Sequence, residues 1–485
     1  MANSTVDFRS AGPGPATARA IRRDYYGFLA LPTELIDNIF SYLTPAELVR
    51  ISLVCRKLLA LATNDIHWQR HVLSNLPGNQ IKSPYPCKTW RQLFVAHSQY
   101  WFLTKYKIWF CDRSLTGQIV VARYDTRRGC IEGYQLLATR ARDGSQPWDD
   151  DSSVHIHYFN PRVKLHLDRA VLQFNVDSLE NQMRISLSSP SSEVRASRNF
   201  FAEHAMRPGH GSGSDPRFST FVLAKPLEQR EIAHYMGDSF PYGRVWPPPT
   251  IPADHRVLGH PTEIAGVLGH DLANSHEWRP ATRSEVSDRT FRIRQWMELG
   301  PPTTGFHIGE EFITFSTLDP ILYTPTPERP WRGIWVGDYS VHGCEFLLIH
   351  QPDIDEEDYR KPLRRGEGET SQEFQERFLS EKVHRGRLEA IKLTGDPNVP
   401  RGEYTFVADD ISDHSCVGVG SGPYFDGARI VKSRGHVAGV GFSRDKYIDS
   451  QLFLISHDRL AQHWVEFGHI SFFERVDLDP LLVPS

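Results

Sequence analysis

Helical periodicity runs out near residue 106, and the pattern that replaces it limits the fold more than anything else in the chain. KIWFCD (107–112), GQIVVARYD (117–125), CIEGYQLLA (130–138), VHIHYFN (154–160), VKLHLD (163–168) and AVLQFNV (170–176) are short runs, rich in β-branched and aromatic residues, with turn formers between them. These are strand signals. They resume at FITFSTL (312–318) and continue as GIWVGDYS, CEFLLIH, LEAIKLTG, GEYTFVAD, GARIVKSRGHVAG, SQLFLISHD and HWVEFGHISFFERV. A dozen or so such strands with tight turns predict a closed or nearly closed antiparallel sheet, because closure removes exposed edges. Residues 197–217 and 244–310, rich in Pro, Gly, His and Ser, read as insertions, as does the charged stretch 351–387 with a helix around 371–383.

With 485 residues, 40% hydrophobic and 24% charged, the chain has room for several domains and at least one large core. A net charge of -4 gives no electrostatic case for nucleic acid or a membrane surface. Cys55, Cys87, Cys111, Cys130, Cys344 and Cys416 have no CxxC and no regular spacing. That usage fits a reducing compartment, cytoplasm or nucleus, and argues against a thiolate metal site. The first 27 residues lack an apolar signal core and read as a disordered tail.

Before the strands lies a different region. Leu31-Pro32 opens a stretch in which Leu35, Ile36, Ile39, Phe40 and Leu43 fall on one side of a helix. Thr44, Pro45 and Glu47 give a helix start with a capping box. A second apolar run, Leu48, Ile51, Val54 and Cys55, passes into Leu58, Leu59, Leu61 and Ala62, and Trp68 closes the unit. Three short helices cannot easily bury that much aliphatic surface among themselves, so part of it is expected to be covered by another protein. KTWRQLFVAHSQYW (88–101) adds a bridging helix.

The order Leu31-Pro32, Glu34, Ile39, Phe40, Leu43, the Leu48 to Val54 helix, Val54-Cys55-Arg56 and Trp68 resembles the F-box. The resemblance implies docking on the Skp adaptor of cullin–RING ubiquitin ligases, with Leu31, Pro32, Leu35, Ile36, Ile39, Phe40, Leu43, Leu48, Val54, Cys55 and Leu58 as the expected contacts. The C-terminal half is similar to the substrate-recognition domain of the F-box only protein 31 family. Gly333, Gly337, Tyr339, His342, Gly343 and Glu345 match one of its motifs, and Thr394 to Asn398 with Pro400 and Gly402 match another. That resemblance implies a β-barrel whose cavity holds an extended piece of a client protein, including its carboxyl end. Animal members carry a Cys/His zinc site in this domain; here no cysteine stands between Cys130 and Cys344, so the metal is not carried over.

The residues support the motif on their own terms. TGDPN is a turn in which Asp396 can accept from backbone amides ahead of it. Glycines at 333, 337 and 343 mark bulges or the close approach of another backbone. Trp335, Tyr339, His342, Lys392 and Arg434 are the candidates to line the barrel mouth, since aromatics with a few cations suit an extended chain end.

Enzymatic readings find less support. His155-Ile156-His157 and His166-Leu167-Asp168 have metal-ligand spacing, but 22 histidines make such coincidences common and no third ligand suggests itself. The Gly418, Gly420, Gly422 run lacks the lysine of a phosphate loop. The expectation is an α+β multidomain chain: an all-α F-box module at 28–75, a helical linker at 76–104 and a large antiparallel β-barrel-like domain at 105–485. It is read as a non-catalytic receptor subunit of a Skp–cullin–F-box ligase, without metal or cofactor; a non-degradative Skp-binding scaffold is the alternative.

Overall fold

A computed structural model describes residues 27–78, 81–98, 100–111, 116–140, 144–157, 159–176, 201–206, 217–224, 290–298, 307–318, 320–339, 342–352, 366 and 368–484. The expected N-terminal tail lies outside these residues, apart from Gly27. The chain divides into two compact units, residues up to Trp68 and residues from Gln69 onward.

In the first unit, α1 (Thr33–Phe40), α2 (Pro45–Ser52), α3 (Arg56–Ala62) and the start of α4 (Asp65–Ser74) follow one another through short turns. The capping box at α2 forms as its sequence predicts. Thr44 Oγ1 accepts from Glu47 N at 3.4 Å, and Glu47 Oε2 accepts from Thr44 N at 2.8 Å. Ile36, Phe40, Leu48, Leu58, Ala62 and Trp68 form the inner face. Trp68 Nε1 donates to Ala62 O at 2.9 Å, so the closing tryptophan satisfies its only polar group internally.

The second unit begins with the rest of α4, α5 (Trp90–Ala96) and α6 (Trp101–Tyr106) and then becomes β-structure. Its first sheet uses β1 (Ile108–Cys111), β2 (Ile119–Asp125) and β3 (Cys130–Arg140). Two short strands, β4 (Ser145–Pro147) and β5 (His155–His157), leave it for the second sheet. β6 (Pro161–Asn175), β7 (Phe201–Met206), β8 (Arg217–Ala224), β9 (Thr290–Glu298) and β10 (His307–Ser316) complete the first, in the antiparallel order β6-β3-β2-β1-β10-β9-β8-β7. Two expectations need correction here. The runs at 163–168 and 170–176 are one continuous strand, β6, which adapts to β3 through bulges opposite Gly133 and Tyr134. Stretches read as insertions also supply sheet strands, because β7, β9 and part of β10 fall inside 197–217 and 244–310.

The second sheet closes. β11 (Gly333–Asp338), β12 (Cys344–His350), α7 (Ser371–Val383), β13 (Leu388–Lys392) and β14 (Tyr404–Ala408) are followed by β15 (Cys416–Val419), which among the described residues pairs with the next strand alone. That strand is β16 (Arg429–Gly439), and β17 (Ser443–Ser456), β18 (Arg459–Trp464) and β19 (His469–Arg475) complete the set. Each of β11, β12, β13, β14, β16, β17, β18 and β19 pairs with the next in that order. β19 then returns to β11 through Trp335↔Arg475 and Gly337↔Phe473, giving an eight-stranded barrel. The last run of the sequence, read as one strand, is split into β18 and β19 by a 3-10 turn at Val465–Phe467.

Strand alternation sorts the side chains into two cores. Trp335, Leu347, Ile349, Leu388, Ala390, Phe406, Ala408, Val431, Leu452, Leu454, Leu460 and Phe473 form one cluster. All eight barrel strands contribute to it, so it fills the interior. Their neighbours Ile334, Val336, Phe346, Leu348, Ile470 and Phe472 point outward and pack against Ile108, Phe110, Ile119, Val121 and Leu165 of the first sheet. Gly337 faces inward because an added Cβ would lie 2.5 Å from the Phe473 ring. The close approach expected at this glycine is therefore by an aromatic ring rather than by a backbone.

Candidate functional site

Two places in the molecule carry features that the fold alone does not require. The first is the outer face of the helical unit. In α1, residues one position apart point in opposite senses: Ile36 and Phe40 have no exposed surface, while Leu35 is 50% and Ile39 41% exposed. The exposed set continues through Tyr42 and Val49 to Leu53 at 82% and Val54 at 69%. Pro32 is exposed, and Leu31, Leu43 and Cys55 are half-buried. Ile36, Phe40, Leu48 and Leu58, expected as adaptor contacts, are instead the unit's own core. With 5% or less of their surface accessible, these four support the face rather than form it. What remains outside is a set of large apolar side chains concentrated between residues 35 and 54, the kind of exposed surface that marks interaction sites.

The second place is one end of the barrel. β11, β13, β16 and β18 finish there, and β12, β14, β17 and β19 begin there. Residues 339, 342–343, 393–403, 440–442 and 465–468 therefore belong to its rim. The charged insertion 351–387, with its helix α7, leaves and re-enters at the opposite end.

Inside this mouth Lys392 Nζ bonds Glu345 Oε2 at 2.6 Å and Asp396 Oδ2 at 2.5 Å, and all three residues are buried. Register explains the meeting. Lys392 pairs with Leu347 across β12–β13, and Glu345 stands two residues before Leu347, so both point inward. Asp396 reaches Lys392 from the turn that follows β13, and its Oδ1 accepts from the amides of Asn398 at 2.6 Å and Val399 at 2.7 Å, as the TGDPN turn predicts. The Tyr339 ring lies 4.2 Å from Lys392 Nζ, and the Tyr339 hydroxyl meets Thr405 Oγ1 at 2.6 Å. Thr405 is the extra residue of a β-bulge: Ala390 opposes Phe406 and Ile391 opposes Tyr404, leaving Thr405 unpaired beside them.

One ammonium between two carboxylates leaves an unequal pair. Burial raises Glu345 to about 8; Lys392 opposes this and the Asp396 charge adds to it. Burial also works against the charge on Asp396, yet the Lys392 ammonium and the two amides hold it below the ordinary carboxylate value. Near neutral pH the lysine charge is thus matched by Asp396, and Glu345 keeps its proton. Glu345 Oε1 has no hydrogen-bond partner among the described residues.

The expected mouth residues are only partly brought together. Tyr339 and Lys392 meet in the cluster, and His342 is exposed on the rim. Trp335 is corrected to a core residue: it is fully buried and donates from Nε1 to Trp331 O at 3.1 Å. Arg434 is corrected as well. It stands on the outer wall, paired with Asp409 at 2.8 Å and lying over the Tyr447 ring. Lys392 is not a free cation, so it offers no unpaired charge to an incoming carboxylate. Glu345, Asp396 and Thr405 were not among the candidates. Glu345 and Asp396 already stood in the family motifs, whereas nothing in the sequence marks Thr405, whose inward turn comes from the bulge. Among the described residues no group of three or more His, Cys, Asp or Glu is placed to hold a metal ion, and no helix is long and apolar enough to cross a membrane.

Comparison with known proteins bears on both places. Residues 28–74 match the F-box-like family, and residues 315–480, which include the whole barrel, match the family described as cyclin D1 binding domain. The chain thus carries an F-box-like domain ahead of a β-barrel. A curated relative, protein EXECUTER 2, chloroplastic, of Arabidopsis thaliana, is 28% identical over 190 residues, covering 39% of this chain and 26% of that protein.

Proposed function

We propose that this chain is the client-receptor subunit of a Skp–cullin–F-box ubiquitin ligase. Its F-box-like unit docks on the Skp adaptor through Leu35, Ile39, Leu53 and Val54, and the barrel mouth takes an extended segment of a client. The observation that carries the reading is the exposed aliphatic face of the helical unit, which has no structural use within that unit. The match of residues 315–480 to the family described as cyclin D1 binding domain supports a client of the cyclin D1 type. No bond is made or broken by this chain in the proposal. Its contribution is proximity, raising the effective concentration of a client lysine beside a charged E2 held elsewhere in the assembly. The corresponding location is the cytoplasm or nucleus.

The test is purification of the full chain from cells, with a deletion of residues 31–68 as the comparison. Cullin and the Skp adaptor should accompany the full chain and be lost with the deletion, together with ubiquitination of cyclin D1. Cullin retained by the deletion variant contradicts the docking role. Client ubiquitination that is unchanged by it contradicts the receptor role.

A further inference from the structure

The rim segment 393–403, which carries Asp396, is held at three places. From β12, Phe346 N donates to Thr394 Oγ1 at 2.9 Å. From the β16–β17 hairpin, Gly441 N donates to Pro397 O at 2.8 Å, and Ala438 O accepts from Asn398 Nδ2 at 3.0 Å. The third hold comes from outside the barrel. Gly395 N donates to Thr116 O at 2.9 Å, in the connection between β1 and β2 of the first sheet.

Gly117 stands beside that bond with φ of +65°, and a Cβ placed there would lie 2.6 Å from Arg401 Cδ and 3.2 Å from Cys111 O. Arg401 is itself buried. The turn and the rim segment therefore meet without space for one methyl group, and glycine suits both the left-handed backbone and the gap. Asp396 directly follows the amide that Thr116 holds. Its bond to Lys392, at 2.5 Å, tolerates little displacement before it weakens.

We infer that Thr116–Gly117 is a positioning element for the barrel mouth: the first sheet sets where segment 393–403 stands, and through Asp396 it fixes the buried Lys392–Glu345 pair beneath the rim that the client meets. This role rests on reading the mouth as the client site. Neither Thr116 nor Gly117 is assigned a contact with the client.

The experiment uses the full chain bound to the Skp adaptor and compares Gly117→Ala with Gly129→Ala. Gly129 is a strain-matched control, with φ of +62° and a Cβ that would meet Pro86 Cδ at 2.1 Å, away from the rim. Both variants force alanine into left-handed backbone, so general strain is common to them. Amide hydrogen exchange across 393–403 and affinity for cyclin D1 are the readouts, and exchange in β17 reports whether the barrel is folded. Gly117→Ala should speed exchange at Gly395 and Val399 by about tenfold and weaken cyclin D1 binding by a similar factor. Gly129→Ala should leave both within about twofold. Should Gly117→Ala unfold the barrel, Arg401→Ala, which opens the same contact rather than crowding it, is expected to move the same two readouts. Equal effects from the two glycine variants, or unchanged exchange across 393–403 in the folded Gly117→Ala or Arg401→Ala variant, overturns the positioning role. His342→Ala, at the exposed rim and outside the buried cluster, separates the two readings. If it leaves cyclin D1 affinity unchanged, the mouth is not the client site, while the exchange data still decide the role of the turn.

Discussion

In the helical unit Leu53 and Val54 keep 82% and 69% of their surface in contact with solvent; in the barrel Leu452 and Phe473 keep none. The barrel even encloses its charges, with Lys392 matched to Asp396 and bonded to Glu345 inside the wall. Eight paired strands without free edges leave the barrel self-sufficient. Four short helices cannot enclose the aliphatic residues they carry, and the surplus stays outside. The contrast separates a surface kept for another protein from a site kept from water, and each side of it can be challenged by substitution.

The largest expected effect is at Lys392→Met. It leaves the buried Asp396 carboxylate without its counter-charge and should destabilise the barrel by about 3–5 kcal/mol, measured by denaturant unfolding followed through tryptophan fluorescence. An unfolding midpoint close to that of the unsubstituted chain would mean that the cluster does not depend on the ammonium. In the helical unit the comparison becomes sharper when an inner residue is set against an outer one. Phe40→Ala should cost about 3–5 kcal/mol in hydrogen-exchange protection of α1 to α3. Leu53→Ser should stay within about 0.5 kcal/mol. The reverse ranking would contradict the division of the two faces.

The third prediction concerns pH. Glu345 is raised from 4.5 to about 8, so the folded chain holds a proton that the unfolded chain has released. Its contribution to stability is complete below about 4.5 and is lost as pH rises through about 8. Unfolding titrations from about pH 6 to about pH 9 should show stability falling, and Glu345→Gln should flatten that fall. An unaltered slope in Glu345→Gln would place the titrating group elsewhere. The smallest effect is at the cap: Thr44→Ala should cost about 1 kcal/mol, read as faster exchange in the first turn of α2. Unchanged exchange there would make the capping box incidental.

Much of this architecture was legible without coordinates. The barrel strands other than β18 announced themselves through β-branched and aromatic residues, and T-P-x-E marked the start of α2 with its cap. Closure itself was expected from the number of strands. The division of α1 was not legible, because Leu35, Ile36, Ile39 and Phe40 form one apolar band on a helical projection. The packing of the neighbouring segments, with Phe28 and His67 against Phe40, decides which pair lies inside. The charged cluster was hidden for a related reason. Glu345 and Lys392 are 47 residues apart and meet through strand register, which periodicity within a single strand does not contain. Arg434 was misplaced because period-two alternation gives two faces without saying which becomes the interior, and Trp335 because alternation does not say how far from the mouth an inward side chain lies. The split between β18 and β19 was missed because apolar and aromatic residues continue across the 3-10 turn.

The most direct test of the account is calorimetric titration of the purified Skp adaptor into the full chain carrying Leu35→Asp and Ile39→Asp together. Both side chains project from a surface that is already solvated, so exchange protection of Ile36 and Phe40 should be retained while adaptor binding disappears. Binding at the affinity of the unsubstituted chain, with that protection intact, would contradict the claim that this bare face is where the adaptor sits.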